Sequence, residues 1–125
     1  MRRLLLDAVD SFTNPKHPKG CIVVLGATNC ATQSTDVFKA IADKRRAAEA
    51  AVRSRIAAGR AAGELAEDTD VDALTGLVTA TLYGLAIKAR DGASRASLRK
   101  IANQSMRAWP NSGNETPRAA EGLAG

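Results

Sequence analysis

The chain has 125 residues, a formal charge of +5, 45% apolar residues and 3% aromatics. That length suits one domain around one core. The apolar share is rich in alanine, which favours closely packed helices over sheets, because alanine is the best helix former and sheets draw on branched and aromatic side chains.

Residues 2–12 read as a short helix with a stripe of Leu5, Leu6, Val9 and Phe12 at helical spacing and no good cap before Arg2. Pro15, Pro18 and Gly20 then punctuate a turn-rich loop. Cys21 to Ala27 is a continuous apolar run that fits a buried strand or a buried helix. No second strand-like run exists to pair with it, and a lone strand would leave its backbone groups unpaired. A buried helix over 20–31 is therefore expected. Ser34 or Thr35 can cap the next helix, over 35–62, whose Phe38, Ile41, Ala48, Val52 and Ile56 share a face. In it Arg45, Glu49 and Arg53 set a carboxylate one turn from two arginines, at ~0.3 kcal/mol per pair. Gly63 is the natural stop, since it accepts the left-handed conformation.

Thr69 is the expected cap of a helix over 70–90, with Asp70 and Asp72 in its first turn. That helix carries two apolar stripes: Val71, Leu74, Val78, Leu82, Leu85 and Ala89, and then Leu77, Ala80, Gly84 and Ile87. A helix apolar on two sides must be covered on two sides, and in so short a chain the second cover points to another subunit. Ser94 caps a last helix over 95–109, ended by Pro110, and 111–125 reads as a disordered tail.

The chemistry of catalysis is missing from this pattern. There is no CxxC and one histidine, so no zinc site of ordinary spacing can be assembled. Cys21 and Cys30 sit in or beside an apolar run and read as packing. His17 reads as a surface loop residue, and Asp7, Asp10 and Asp43 read as solvated helix faces. No GxSxG or phosphate-binding glycine loop occurs. No enzyme activity, catalytic residue, metal or cofactor is expected. The scattered positive charges read as solvated helix faces. No apolar run approaches the ~20 residues that span a bilayer, and Asp7 and Asp10 cut the Leu4-Leu5-Leu6 run too short for a signal peptide. The expected location is the cytoplasm, with no membrane partner.

Four stretches, 17–31 (HPKGCIVVLGATNCA), 43–65 (DKRRAAEAAVRSRIAAGRAAGEL), 68–94 (DTDVDALTGLVTATLYGLAIKARDGAS) and 98–110 (LRKIANQSMRAWP), together resemble the C-terminal part of the tetracycline-repressor (TetR/AcrR) family. The resemblance implies an all-α fold of about five helices over 1–110. It also implies that the last two helices pair with those of a twofold-related copy as a four-helix bundle, and that the earlier helices enclose a small-molecule pocket. Complete members carry an N-terminal helix-turn-helix, and this sequence has no counterpart to it. DNA would be reached only through a helix-turn-helix not present in this chain.

The expected interface is Leu74, Leu77, Val78, Thr81, Gly84, Leu85, Leu98, Ile101, Ser105 and Trp109, a broad surface of apolar and small residues on two adjacent helices. The expected pocket is Val23, Val24, Asn29, Phe38, Ile41, Leu82 and Tyr83, mostly apolar with Asn29 and Tyr83 as the placed polar groups. The partners implied are a second copy or a full-length paralogous subunit, and a small apolar or aromatic effector. The reading is the effector-binding and dimerisation module of a TetR-type regulator, truncated relative to complete members. The alternative is a stand-alone small-molecule-binding or dominant-negative interaction protein that does not itself bind DNA.

Overall fold

A computed structural model describes residues 1–26 and 35–110, and every element of regular structure among them is helical. Helix α1 (Arg2–Phe12) buries Leu5 and Val9, one turn apart, and begins at Met1 without a side-chain cap. Leu6 and Phe12 flank them at the edge of the core. The loop after it turns on Gly20, whose N–H donates to the Phe12 carbonyl at 3.0 Å.

The apolar run that follows departs from expectation. It forms a single turn, α2 (Ile22–Leu25), and none of its four residues is buried. Ile22 is 78% exposed. The remainder of the expected helix, with Asn29 and Cys30, lies outside the described residues. An apolar run needs neighbours on several sides to be buried, and α2 meets α3 on one side and α4 on another.

Helix α3 (Thr35–Ala61) runs for 27 residues. It buries Val52 and Ile56 and ends as its sequence suggests. Gly63 has φ +76, its N–H donates to the Arg60 carbonyl, and the Glu64 N–H reaches back to Gly59 at 2.9 Å. This is the paired closure that a left-handed residue makes possible, and it repeats at Gly92 at the end of α4. The Arg45, Glu49, Arg53 ladder does not form. Arg53 instead pairs with Asp72 at 2.6 Å, and Arg45 donates to a backbone carbonyl of α2. Partners on another helix outcompete an exposed pair worth only ~0.3 kcal/mol.

Helix α4 (Val71–Arg90) lies antiparallel to α3, fixed at its start by the Arg53 to Asp72 pair. Asp70, not Thr69, is its cap: the carboxylate accepts from the Ala73 N–H at 2.9 Å. Thr69 is buried, and its carbonyl accepts from Arg60. The first apolar stripe forms the spine of the core, with Val71, Val78, Leu85 and Ala89 all at 5% exposure or less. Thr75 and Thr79 are also buried, and their hydroxyls donate to the Val71 and Thr75 carbonyls one turn back, so neither hydroxyl is left unmatched. Helix α4 also has the length and apolar content to cross a membrane, a property its composition carries without any long uninterrupted apolar run. Helices α1, α2, α3 and α5 all pack on it.

Helix α5 (Arg95–Ser105) starts at Ser94, whose hydroxyl accepts from the Ser97 N–H, and buries Leu98 and Ala102. It stops earlier than 109. A tighter turn over Met106–Ala108 follows and brings Trp109 against the core.

The loop before α2 is tightly seated. A Cβ at Gly20 would stand 2.6 Å from Leu25 Cδ1 and 3.0 Å from the Ala86 carbonyl oxygen, at φ +90. Gly20→Ala is expected to cost about 1–3 kcal/mol. The readout is a lower urea midpoint with an unchanged slope; an unchanged midpoint would show that the loop does not hold α2 in place.

Candidate dimer face and effector region

A helix turns about 100° per residue, so Ala73, Leu77, Ala80, Gly84 and Ile87 fall within about 80° of one another on α4. They lie opposite the buried stripe. Leu77 is 37% and Ile87 45% exposed, and Ala73 and Ala80 are exposed between them. Around Gly76 and Gly84 the space a side chain would occupy is open. Among the described residues, nothing covers the second apolar stripe of α4 along its length.

The ten residues expected at an interface divide among three environments. Leu77 is exposed, and Thr81 and Gly84 are half-buried at its side. Leu74, Ile101 and Trp109 are half-buried and lean on the core, and Ser105 is half-buried with its hydroxyl donating to the Ala102 carbonyl. Val78, Leu85 and Leu98 are 2%, 1% and 0% exposed. These three have no surface to offer a second copy and belong to the core of the subunit. The reason is angular: Val78 and Leu85 continue the stripe of Val71, which faces α1 and α5. Ala73 and Ile87 take their place on the free face.

The described residues of the expected pocket are distributed over α2, α3 and α4. Val23 and Val24 are half-buried on α2, and Ile41 is half-buried on α3. A Cβ on Gly26 would lie 3.0 Å from Ile41 Cδ1. Arg45 Nη1 donates to the Val23 carbonyl at 3.0 Å, so α2 is tied to the first half of α3. Gly20 meanwhile rests against Ala86 and Arg90 of α4. Phe38 is 45% exposed, and Tyr83 is half-buried on the same half of α4. Leu82 packs on the core cluster. Asn29 lies outside the described residues. Arg45 is the contact that sequence reasoning missed, because its spacing to Glu49 suggested a surface pair. The signal was its place on the face of Ile41 and Val52.

An open trough of about 320 Å³ is lined by Arg46, Glu49, Ala50, Arg53, Asp72 and Thr75. His17 is exposed in its loop and Cys21 is half-buried.

Asp10 is not the solvated carboxylate expected. It accepts from Arg95 Nε and from Arg99 Nη1, each at 2.8 Å, and Arg2 Nε donates to Asn103 at 2.9 Å. Together these fasten α1 along α5. The hydrogen bond from Arg95 is the largest influence and holds the Asp10 carboxyl below the usual carboxylate range, against a smaller opposing effect of burial. Arg95 is held above its ordinary value by the same bond. Because the folded value is depressed, the stabilisation is present above about pH 4 and lost as the pH falls through the folded value. Asp10→Asn is thus expected to lower the urea midpoint at about pH 7 and to differ less from the unaltered chain near pH ~2.5. An equal deficit at both values would remove the carboxylate from the account.

Comparison with known proteins agrees with this architecture. The family described as Tetracyclin repressor-like, C-terminal domain, matches residues 1–105. The HTH-type transcriptional repressor ComR of Escherichia coli (strain K12) is 28% identical over 99 residues, covering 79% of this chain and 47% of the repressor. The TetR family transcriptional regulator CifR, solved as a doubly substituted cysteine mutant with 26 bp double-strand operator DNA, superposes with a TM-score of 0.83 at 35% identity, over 87% of this chain and 57% of that one. A triply substituted cysteine mutant of the same regulator, also with operator DNA, gives a TM-score of 0.83 at 34% identity over the same shares of the two chains. The chain spans about half the length of the curated relative it matches. By a family match over residues 1–105 and by an all-helical fold shared with CifR, this chain belongs to the tetracyclin repressor-like C-terminal domain family, a family of transcriptional regulators and not of enzymes.

Proposed function

We propose that this chain is the effector-sensing and dimerising module of a TetR-type transcriptional regulator. The observation that carries the reading is the uncovered stripe Ala73, Leu77, Ala80, Gly84 and Ile87 on α4. None of the described helices is left to cover it. A second copy related by a twofold axis presents the same stripe in return. Small residues at Ala80 and Gly84 let two helices approach closely, and Leu77 and Ile87 supply apolar area. Ile101 on α5 extends the contact, so that the last two long helices of each copy form a four-helix bundle.

In this reading the region between α2, α3 and α4 takes a small apolar or aromatic effector. DNA contact would belong to a helix-turn-helix outside this sequence, and the location is the cytoplasm; the similar regulator CifR is solved with operator DNA. Effector binding would shift the population between arrangements of the dimer that differ in DNA competence. The alternative, a stand-alone binding protein or one that pairs with a full-length paralogous subunit, uses the same two surfaces without a DNA output of its own.

Sedimentation of the purified chain tests the central claim. A dimer at tens of micromolar is expected, since apolar dimer faces of this kind associate well below that concentration. A monomer there would remove the dimerisation half of the reading.

A further inference from the structure

Among the cations of α3, Arg45 stands apart. It lies on the side of the helix that carries Ile41 and Val52, within about 40° of both, and not on the outward side with Lys44. It is half-buried, and its Nη1 donates 3.0 Å to the Val23 carbonyl. Three other arginines of α3 have carboxylate partners, Arg46 with Asp43, Arg53 with Asp72 and Arg55 with Glu64, while the exposed Arg60 donates to the Thr69 carbonyl. Among the described residues no carboxylate pairs with Arg45. One carbonyl occupies one of the five N–H donors that a guanidinium presents. A partly desolvated cation with donors to spare favours an anion, and the planar fork suits a carboxylate or sulfonate held through two parallel bonds.

The surroundings supply the rest of a ligand. Phe38 lies two turns earlier on the same side of α3, about 10 Å along the axis from Arg45, and it is 45% exposed. Ile41 lies between them, and Val23 and Val24 of the adjoining α2 are half-buried. An apolar strip about 10 Å long thus ends in a cation.

We propose that the region between α2 and α3 selects an effector with an apolar or aromatic body and one terminal oxyanion of the carboxylate or sulfonate type, with the oxyanion held by Arg45. This deepens the effector reading above and rests on it. The body lies along Phe38 and Ile41, and the anion takes guanidinium N–H groups that the Val23 carbonyl leaves free.

Two dyes that share one ring body test this: anilinonaphthalene sulfonate, and the neutral N-phenylnaphthylamine. Binding is followed by fluorescence with the purified full chain. The sulfonate is expected to bind about tenfold more tightly than the neutral dye. Arg45→Gln is expected to abolish that preference, while Arg46→Gln leaves it intact. Arg45→Lys keeps the charge without the fork and is expected to retain about a third of the preference. It serves as the readout if circular dichroism shows Arg45→Gln unfolded. A sulfonate preference that survives Arg45→Gln, or an undiminished one in Arg45→Lys, overturns the assignment. Neutral dye bound with no preference for the sulfonate overturns this proposal and leaves the effector reading standing. Neither dye bound by the unaltered chain removes both.

Discussion

A chain carrying Leu77→Glu and Ala80→Glu is expected to stay helical and to sediment as a monomer at concentrations where the unaltered chain is a dimer. Both positions lie on the uncovered stripe of α4, and neither is buried in the subunit. Glutamate is a good helix former, so the helix itself should tolerate both changes. At a twofold interface each position meets its own neighbourhood on the partner, so two substitutions bring four carboxylates together. Desolvated like charges without partners cost several kcal/mol. A loss of about 4 kcal/mol corresponds to roughly a thousandfold weaker association. Sedimentation equilibrium gives the association constant and circular dichroism the helix content. Ala51→Glu, on the outward side of α3 and also exposed, is the matched control and should leave the dimer intact. A dimer that persists in the double variant would place the interface elsewhere.

The extents of the long helices were legible because their signals are local. Spacing marked α1, α3 and α4, Gly63 ended α3, and Ser94 capped α5. The departures occurred wherever a choice depended on what lay across from a residue. Thr69 and Asp70 are both competent caps, and Arg60 from α3 takes the Thr69 carbonyl while Asp70 caps the helix. Arg45 and Arg53 both stood one turn from Glu49, and each found its partner on another helix. Asp10 was indistinguishable from Asp7 in sequence, yet Arg95 and Arg99 arrive from the far end of the chain to bind it. For α2, an apolar run says that burial is favourable but not how many neighbours will come.

The same logic explains the division of the expected interface. Two apolar stripes on α4 were readable, and so was the need for two covers. Which stripe the subunit keeps was not readable, because both consist of aliphatic residues at helical spacing. Helices α1 and α5 settle the matter by packing Leu5, Val9 and Leu98 against the stripe of Val71, Val78 and Leu85. That choice is mechanically useful. The helix that would face a second copy is the one against which α2 and Gly20 rest, so in the proposed function a shift at the effector region would act directly on the element that would form the dimer face.

Leu85→Ala is the counterpart test on the opposite side of this helix, and its effect should fall on folding rather than on association. Leu85 is 1% exposed and sits in one cluster with Leu5, Val9, Val78 and Leu98. Removing its three outer carbons takes away apolar burial and leaves a cavity that helices fixed by the Asp10 clasp cannot easily close. The expected loss is about 2–5 kcal/mol, a large part of the roughly 5–15 kcal/mol that a domain of this size commands. Dimer formation adds stability by mass action, so the measurement belongs in the Leu77→Glu, Ala80→Glu background. There the urea midpoint reports the subunit alone. A further Leu77→Ala change in place of Leu77→Glu should move that midpoint little, since position 77 lies outside the core cluster of its own chain. If Leu85→Ala costs less than about 1 kcal/mol, the stripe of Val71, Val78 and Leu85 is not the core spine, and the assignment of the two faces of α4 must be reversed.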